Sequence, residues 1–173
     1  MYGRTGPGQA AIGTGGSVKT PVLALAFVCG ILAGFGVYAV LSPVPSDPQQ
    51  TALYTADAPE PIGPYSQAVR CGSYLFMSGQ IGLDLATGNL SDTVACEARQ
   101  TMENLRAVLL EAGLDFSDVV QTRIYLTDLA EFSTVNAVYA EYFNEPYPAW
   151  ATVQVAGLPK GARVEIEMVA KVR

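Results

Sequence analysis

Short runs of alternating polarity trade places along the second half of this chain with segments whose apolar residues recur every three or four positions. Residues 66–71 and 74–78 are apolar runs on either side of Cys71-Gly72-Ser73, the pattern of two strands joined by a tight hairpin turn. From Asp92 or Thr93, either of which can cap a helix, Val94, Ala98, Met102, Leu105, Leu109 and Ala112 repeat at helical spacing. That register turns Glu97, Glu103 and Arg106 towards water, and Gly113 follows as a C′ residue. Residues 119–126 read as a strand, 131–143 as a second amphipathic helix with Tyr139, Tyr142 and Phe143 on its core face, and 151–155 and 163–171 as two further strands. The predicted order is β-β-α-β-α-β-β, an α+β domain with both helices on one sheet face and the other face open to a partner.

The first part of the chain has a different pattern. Val22–Leu41 is a twenty-residue apolar run without a charge, long enough as a helix to cross a ~30 Å hydrocarbon layer. It predicts a transmembrane signal anchor over 21–41, after a Gly-rich cytoplasmic N-terminus over 1–20. Arg4 and Lys19 lie on its N-terminal side, which orients the N-terminus inside and the folded part periplasmic or otherwise extracytoplasmic. The same residues also fit a secretory signal cleaved near Ala39, leaving a secreted domain. Ala26, Gly30 and Gly34 recur every fourth position, a small-residue face suited to close helix packing in a membrane complex. The proline-containing stretch over 42–56 reads as an extended linker, which leaves 57–173 as the folded domain.

Charge and composition narrow the chemistry. The 173 residues carry a net charge of −6, and all sixteen acidic residues lie after position 41 against eight basic ones, so no basic face is offered to nucleic acid. There is no histidine, which removes Ser-His-Asp and Cys-His nucleophile systems and histidine metal sites. Three cysteines, Cys29, Cys71 and Cys96, are too few and scattered for a thiolate metal site. Neither a metal nor another cofactor is expected. Any reaction must run on carboxylates, hydroxyls, backbone amides and Arg or Lys.

Several separated motifs resemble one family. Ile62-Gly63-Pro64-Tyr65-Ser66-Gln67, Met77-Ser78-Gly79-Gln80-Ile81, Val135-Asn136 with Tyr139 and Tyr142-Phe143, Leu158-Pro159-Lys160-Gly161 and Val164-Glu165-Ile166-Glu167 follow in the order of the Rid (RidA/YjgF) family over 57–173. The resemblance implies a chorismate-mutase-like fold and a homotrimer with clefts between subunits. It also implies hydrolysis of reactive enamines and imines, such as 2-aminoacrylate, to 2-keto acids and ammonia. By motif it implies Tyr65 and Glu165 as catalytic, with Glu165 handling water. Ser78, Gly79, Asn136 and Thr152 then line the substrate cleft.

One position departs from that pattern. Enzymatic members of the family read Pro-Ala-Arg at the start of the penultimate strand, whereas this chain reads Pro148-Ala149-Trp150. An indole has one N–H donor and no charge, so it cannot make the forked contact that a guanidinium makes with a substrate carboxylate; losing such a pair costs about 2–5 kcal/mol. Arg70, Arg123 and Arg163 are the other arginines weighed for that contact, and their strand and turn positions suit solvent or an interface. The expected function is therefore a membrane-anchored accessory or structural subunit without the usual 2-imino acid deaminase activity. The alternative is a divergent enamine or imine hydrolase that releases ammonia from a small molecule.

Overall fold

The computed structural model describes residues 50–173. The apolar run Val22–Leu41, with Ala26, Gly30 and Gly34, lies outside the described residues, and so does the linker up to residue 49. Among the described residues no helix is long and apolar enough to cross a membrane.

Six strands and two helices follow in the order β1 (Gln50–Leu53), β2 (Ala68–Cys71), β3 (Tyr74–Ile81), α1 (Val94–Glu111), β4 (Val119–Leu126), α2 (Phe132–Ala140), β5 (Ala149–Gln154) and β6 (Val164–Lys171). They form one mixed sheet in the order β1-β2-β3-β6-β4-β5, antiparallel except for the β4–β5 pair. The expected α+β architecture and its β-β-α-β-α-β-β core are present. Strand β1 adds to it: four residues of the stretch read as linker pair with β2, Thr51 opposite Arg70 and Leu53 opposite Ala68. The run is too short, and too close to prolines, to show a strand period of its own.

Local chemistry explains the element ends. Thr93 caps α1, its hydroxyl accepting from Cys96 N at 3.2 Å. Gly113 closes the helix at φ 70°, with Gly113 N donating to Leu110 O and Leu114 N to Leu109 O. Gly72 at φ 58° makes the two-residue turn between β2 and β3. On the covered face Leu75, Met77, Ile124, Ile166 and Met168 pack against Met102, Leu105 and Leu109 of α1 and Val135 and Val138 of α2. Each such side chain contributes roughly 1.5–3 kcal/mol when fully buried. No helix among the described residues covers the opposite face, which carries Phe76, Arg123, Glu165 and Glu167, and Phe76 stays half exposed.

Glu97 does not face water as the helical register predicts. It is fully buried. The buried arc of α1 also takes in Thr101 and Asn104 beside the apolar positions, so Glu97 lies on its flank rather than on the solvent side. Glu97 accepts from Arg163 N at 2.6 Å, Arg163 Nε at 2.9 Å and Val164 N at 3.2 Å. Arg163, read as solvated or interfacial, is thus fixed at the start of β6, where it also donates to Ser91 O and Asp92 O.

Candidate functional site

A bulge in β3 creates the site. Met77 pairs with Met168 and Gln80 with Ile166 of β6, so Ser78 and Gly79 together oppose Glu167 alone. The extra residue re-aims the strand while keeping Met77 and Gln80 buried. Glu165 approaches from β6, and only a glycine fits opposite it: a Cβ on Gly79 would collide with the Glu165 carboxylate, with Cδ at 2.8 Å. Ser78 is held on both sides, its hydroxyl donating to Ser66 O at 2.7 Å and its amide to Gln67 O at 3.0 Å.

The third wall is the segment from Thr55 to Tyr65. Gln67, almost fully buried, pins it: its Oε1 accepts from Thr55 N at 2.7 Å, and its Nε2 donates to Thr55 O, Ala58 O and Pro59 O. Tyr65 folds back so that its hydroxyl accepts from Ile62 N at 3.2 Å. These parts enclose a cavity of about 370 Å³ lined by Glu60, Tyr65, Ser78, Gly79, Glu165 and Glu167, with Pro59, Ile62, Gln80, Ile81, Leu83 and Pro159 as the remaining wall. Burial, and then the nearby charge of Glu167, raises the Glu165 carboxyl above the ordinary carboxylate range. Among the described residues no side chain or amide donates a hydrogen bond to it, whereas Glu167 pairs with Arg123 at 2.6 Å. A half-buried carboxylate with a raised pKa beside a hydroxyl and a glycine backbone can take up and return a proton.

Asn136, Trp150 and Thr152 are not in this cavity. They line a second, closed crevice with Ile124, Leu126, Phe132 and Val135, at the other end of the sheet. Trp150 stands edge-on to Phe132, ring centroids 5.5 Å apart, and is 40% exposed. Thr152 Oγ1 is buried there without a hydrogen-bond partner. The register runs Trp150 to Thr122 to Met168 on β6, the strand of Glu165, two strand spacings or about 10 Å. One chain therefore brings Tyr65, Ser78, Gly79 and Glu165 together and holds Asn136, Trp150 and Thr152 apart from them.

Sequence reading overlooked Gln67, Glu60 and Glu167 as parts of the site. A lone glutamine within the apolar run 66–71 is the available signal for the first, and strand alternation, which puts Glu167 on the face of Glu165, for the third; Glu60 has none short of the fold. Among the described residues no group of three or more His, Cys, Asp or Glu side chains could hold a metal ion.

Residues 55–172 match the family model described as endoribonuclease L-PSP. The chain is 51% identical over 119 residues to the human protein named 2-iminobutanoate/2-iminopropanoate deaminase, covering 68% of this chain and 87% of that one. It is 39% identical over 164 residues to the chloroplastic reactive intermediate deaminase A of Arabidopsis thaliana, covering 89% and 88% of the two chains. Its fold superposes on the crystal structure of RidA from the Antarctic bacterium Psychrobacter sp. PAMC 21119 with a TM-score of 0.69 and 43% identity, over 70% of this chain and 99% of that one.

Proposed function

The chain belongs to the RidA/YjgF family, that of the endoribonuclease L-PSP model, and from that premise we propose that it hydrolyses imines or enamines of small molecules and releases ammonia. The observation that carries this reading is the convergence of Glu165, Ser78, Gly79 and Tyr65 on one cavity. Three relatives or neighbours in fold named as deaminases or as RidA support it. The acidic walls do not suit the phosphates of RNA, so the nuclease wording of the family description is not carried over.

In the proposed reaction Glu165, ionised, accepts a proton from a water molecule as that water's oxygen bonds to the imine carbon. Glu165 returns that proton to the imine nitrogen, giving a carbinolamine. Its C–N bond then breaks with the electron pair leaving on nitrogen, the hydroxyl proton passes by way of Glu165 to that nitrogen, and ammonia departs while a carbonyl remains. The raised pKa of Glu165 makes it a stronger base than an ordinary carboxylate and confines activity to pH values above a correspondingly raised limb.

The open sheet face and the separation of the two half-sites support a homotrimer in which the Trp150 crevice of one copy meets the Glu165 cavity of the next. The apolar run Val22–Leu41 supports a membrane tether, with the alternative of cleavage near Ala39.

The test is imine hydrolysis by the full chain in mild detergent. Glu165→Gln should lower the rate by about 100-fold or more with the assembly unchanged. Its acid limb should lie above that of a free carboxylate. A protein that accelerates no imine, and that is recovered in a larger stoichiometric membrane assembly, refutes the hydrolase reading and supports the accessory-subunit one.

A further inference from the structure

Small imines differ most in whether they carry a carboxylate. The human relative's name specifies 2-iminobutanoate and 2-iminopropanoate, both of which do. The cavity of this chain is built from the opposite charge to the one such substrates need. Its walls hold three carboxylates, Glu60, Glu165 and Glu167, and no Lys or Arg. Arg123 neutralises Glu167 alone.

Among the described residues Arg163 is committed to the buried Glu97, Arg99 to Glu141, Arg106 to Glu103 and Arg173 to Asp115 and Asp118, while Arg70 is unpaired but does not line the cavity. The second crevice is uncharged. Its Trp150 indole and Asn136 amide reach solvent, whereas the Thr152 hydroxyl is buried. A carboxylate binds by forked, charge-assisted donation, for which neither pocket has a donor pair. A cation is favoured by the carboxylate field and by an indole face, the strongest of the aromatic cation–π acceptors.

We infer that this site takes imines without a carboxylate, as iminium ions or neutral imines derived from simple amines, and discriminates against 2-imino acids. The inference rests on the hydrolase reading above, with the crevice of one copy set against the cavity of the next. The balanced reaction is R₂C=NH₂⁺ with water giving R₂C=O and NH₄⁺. The reaction class that supplies such a substrate is two-electron oxidation of a primary amine, and the class that consumes the product acts on an aldehyde or ketone.

Trp150 is the single tryptophan of the chain, so its fluorescence reports the crevice that the proposed trimer sets against the Glu165 cavity of the next copy. With the full chain in mild detergent, n-butylamine should change the emission at concentrations at least tenfold below those at which butanoate does. In turnover, an imine generated in situ from n-butylamine by an amine oxidase should be hydrolysed with at least tenfold greater acceleration than 2-iminobutanoate generated by an amino-acid oxidase. Trp150→Arg should reverse that preference, and Glu60→Gln should weaken it.

Equal or better use of 2-iminobutanoate by the native chain overturns the inference and leaves the hydrolase reading standing. Amine-selective fluorescence without turnover of either imine refutes hydrolysis and keeps the charge selectivity. No response to the amine and no turnover overturns both.

Discussion

Two glutamates, Glu97 and Glu165, each face a glycine of the β3 region and have opposite surroundings. Glu97 is fully buried and takes hydrogen bonds from two backbone amides and the Arg163 guanidinium. Glu165 is half buried and takes none among the described residues, and its carboxyl is pushed up in pKa. Gly82 clears a path for the Glu97 backbone and side chain, while Gly79 clears only the Glu165 side chain. Where every lone pair is spoken for, a carboxylate fixes the start of β6. Left short of donors two residues further along the same strand, a carboxylate is free to exchange protons. The difference lies in the number of donors within reach, since both residues are glutamates on neighbouring parts of one framework.

Removing the satisfied carboxylate has the largest expected effect. Glu97→Ala strands the Arg163 guanidinium and two amides and should cost about 3–5 kcal/mol, read as a shifted urea midpoint. The glycines separate the two regions more finely. Gly82→Ala meets Glu97 main chain, with Cγ also at 2.5 Å, and should lose about 1–3 kcal/mol, because backbone has to move. Gly79→Ala meets only a side chain that can swing away. It should keep most of its stability, yet lose activity as Glu165 is displaced; equal destabilisation by the two substitutions contradicts the distinction.

The smallest effect is in pH dependence. A carboxyl whose folded pKa is raised binds its proton more tightly in the folded chain, so its contribution to stability falls as pH rises from 4.5 through the folded value, then stays constant. Glu165→Gln should match the native chain below that window. At neutral pH it should exceed the native chain by less than about 1 kcal/mol, because the group keeps contact with solvent. Thermal melts at pH 4 and pH 7 measure the difference.

The fold was largely legible because β3, β4, β6 and α1 carry clean alternation or clean helical spacing, and Thr93 and Gly113 mark both ends of α1. Strand β1 was not, since four residues beside prolines show no period and are ordered by pairing with β2. Glu97 was misplaced for a related reason: helical spacing ranks positions on one helix, whereas its partner Arg163 arrives from 66 residues away. In the site, motif resemblance located Tyr65, Ser78, Gly79 and Glu165. It did not disclose the bulge that turns Ser78 and Gly79 to the same side, nor the four bonds by which Gln67 holds the opposite wall. Those depend on which strands become neighbours, a property of the whole sheet.

The two strand spacings between Glu165 on β6 and Trp150 on β5 have a genetic consequence for the proposed ring. If each cleft takes one half from each of two adjoining chains, a defect in one half leaves the same chain's other half fit to serve its neighbour. Chains altered at Glu165, mixed with chains altered at Trp150, then regain some intact clefts, and two inactive alleles complement each other. The same arithmetic makes a chain damaged in both halves dominant over its healthy neighbours, since it spoils two clefts at once.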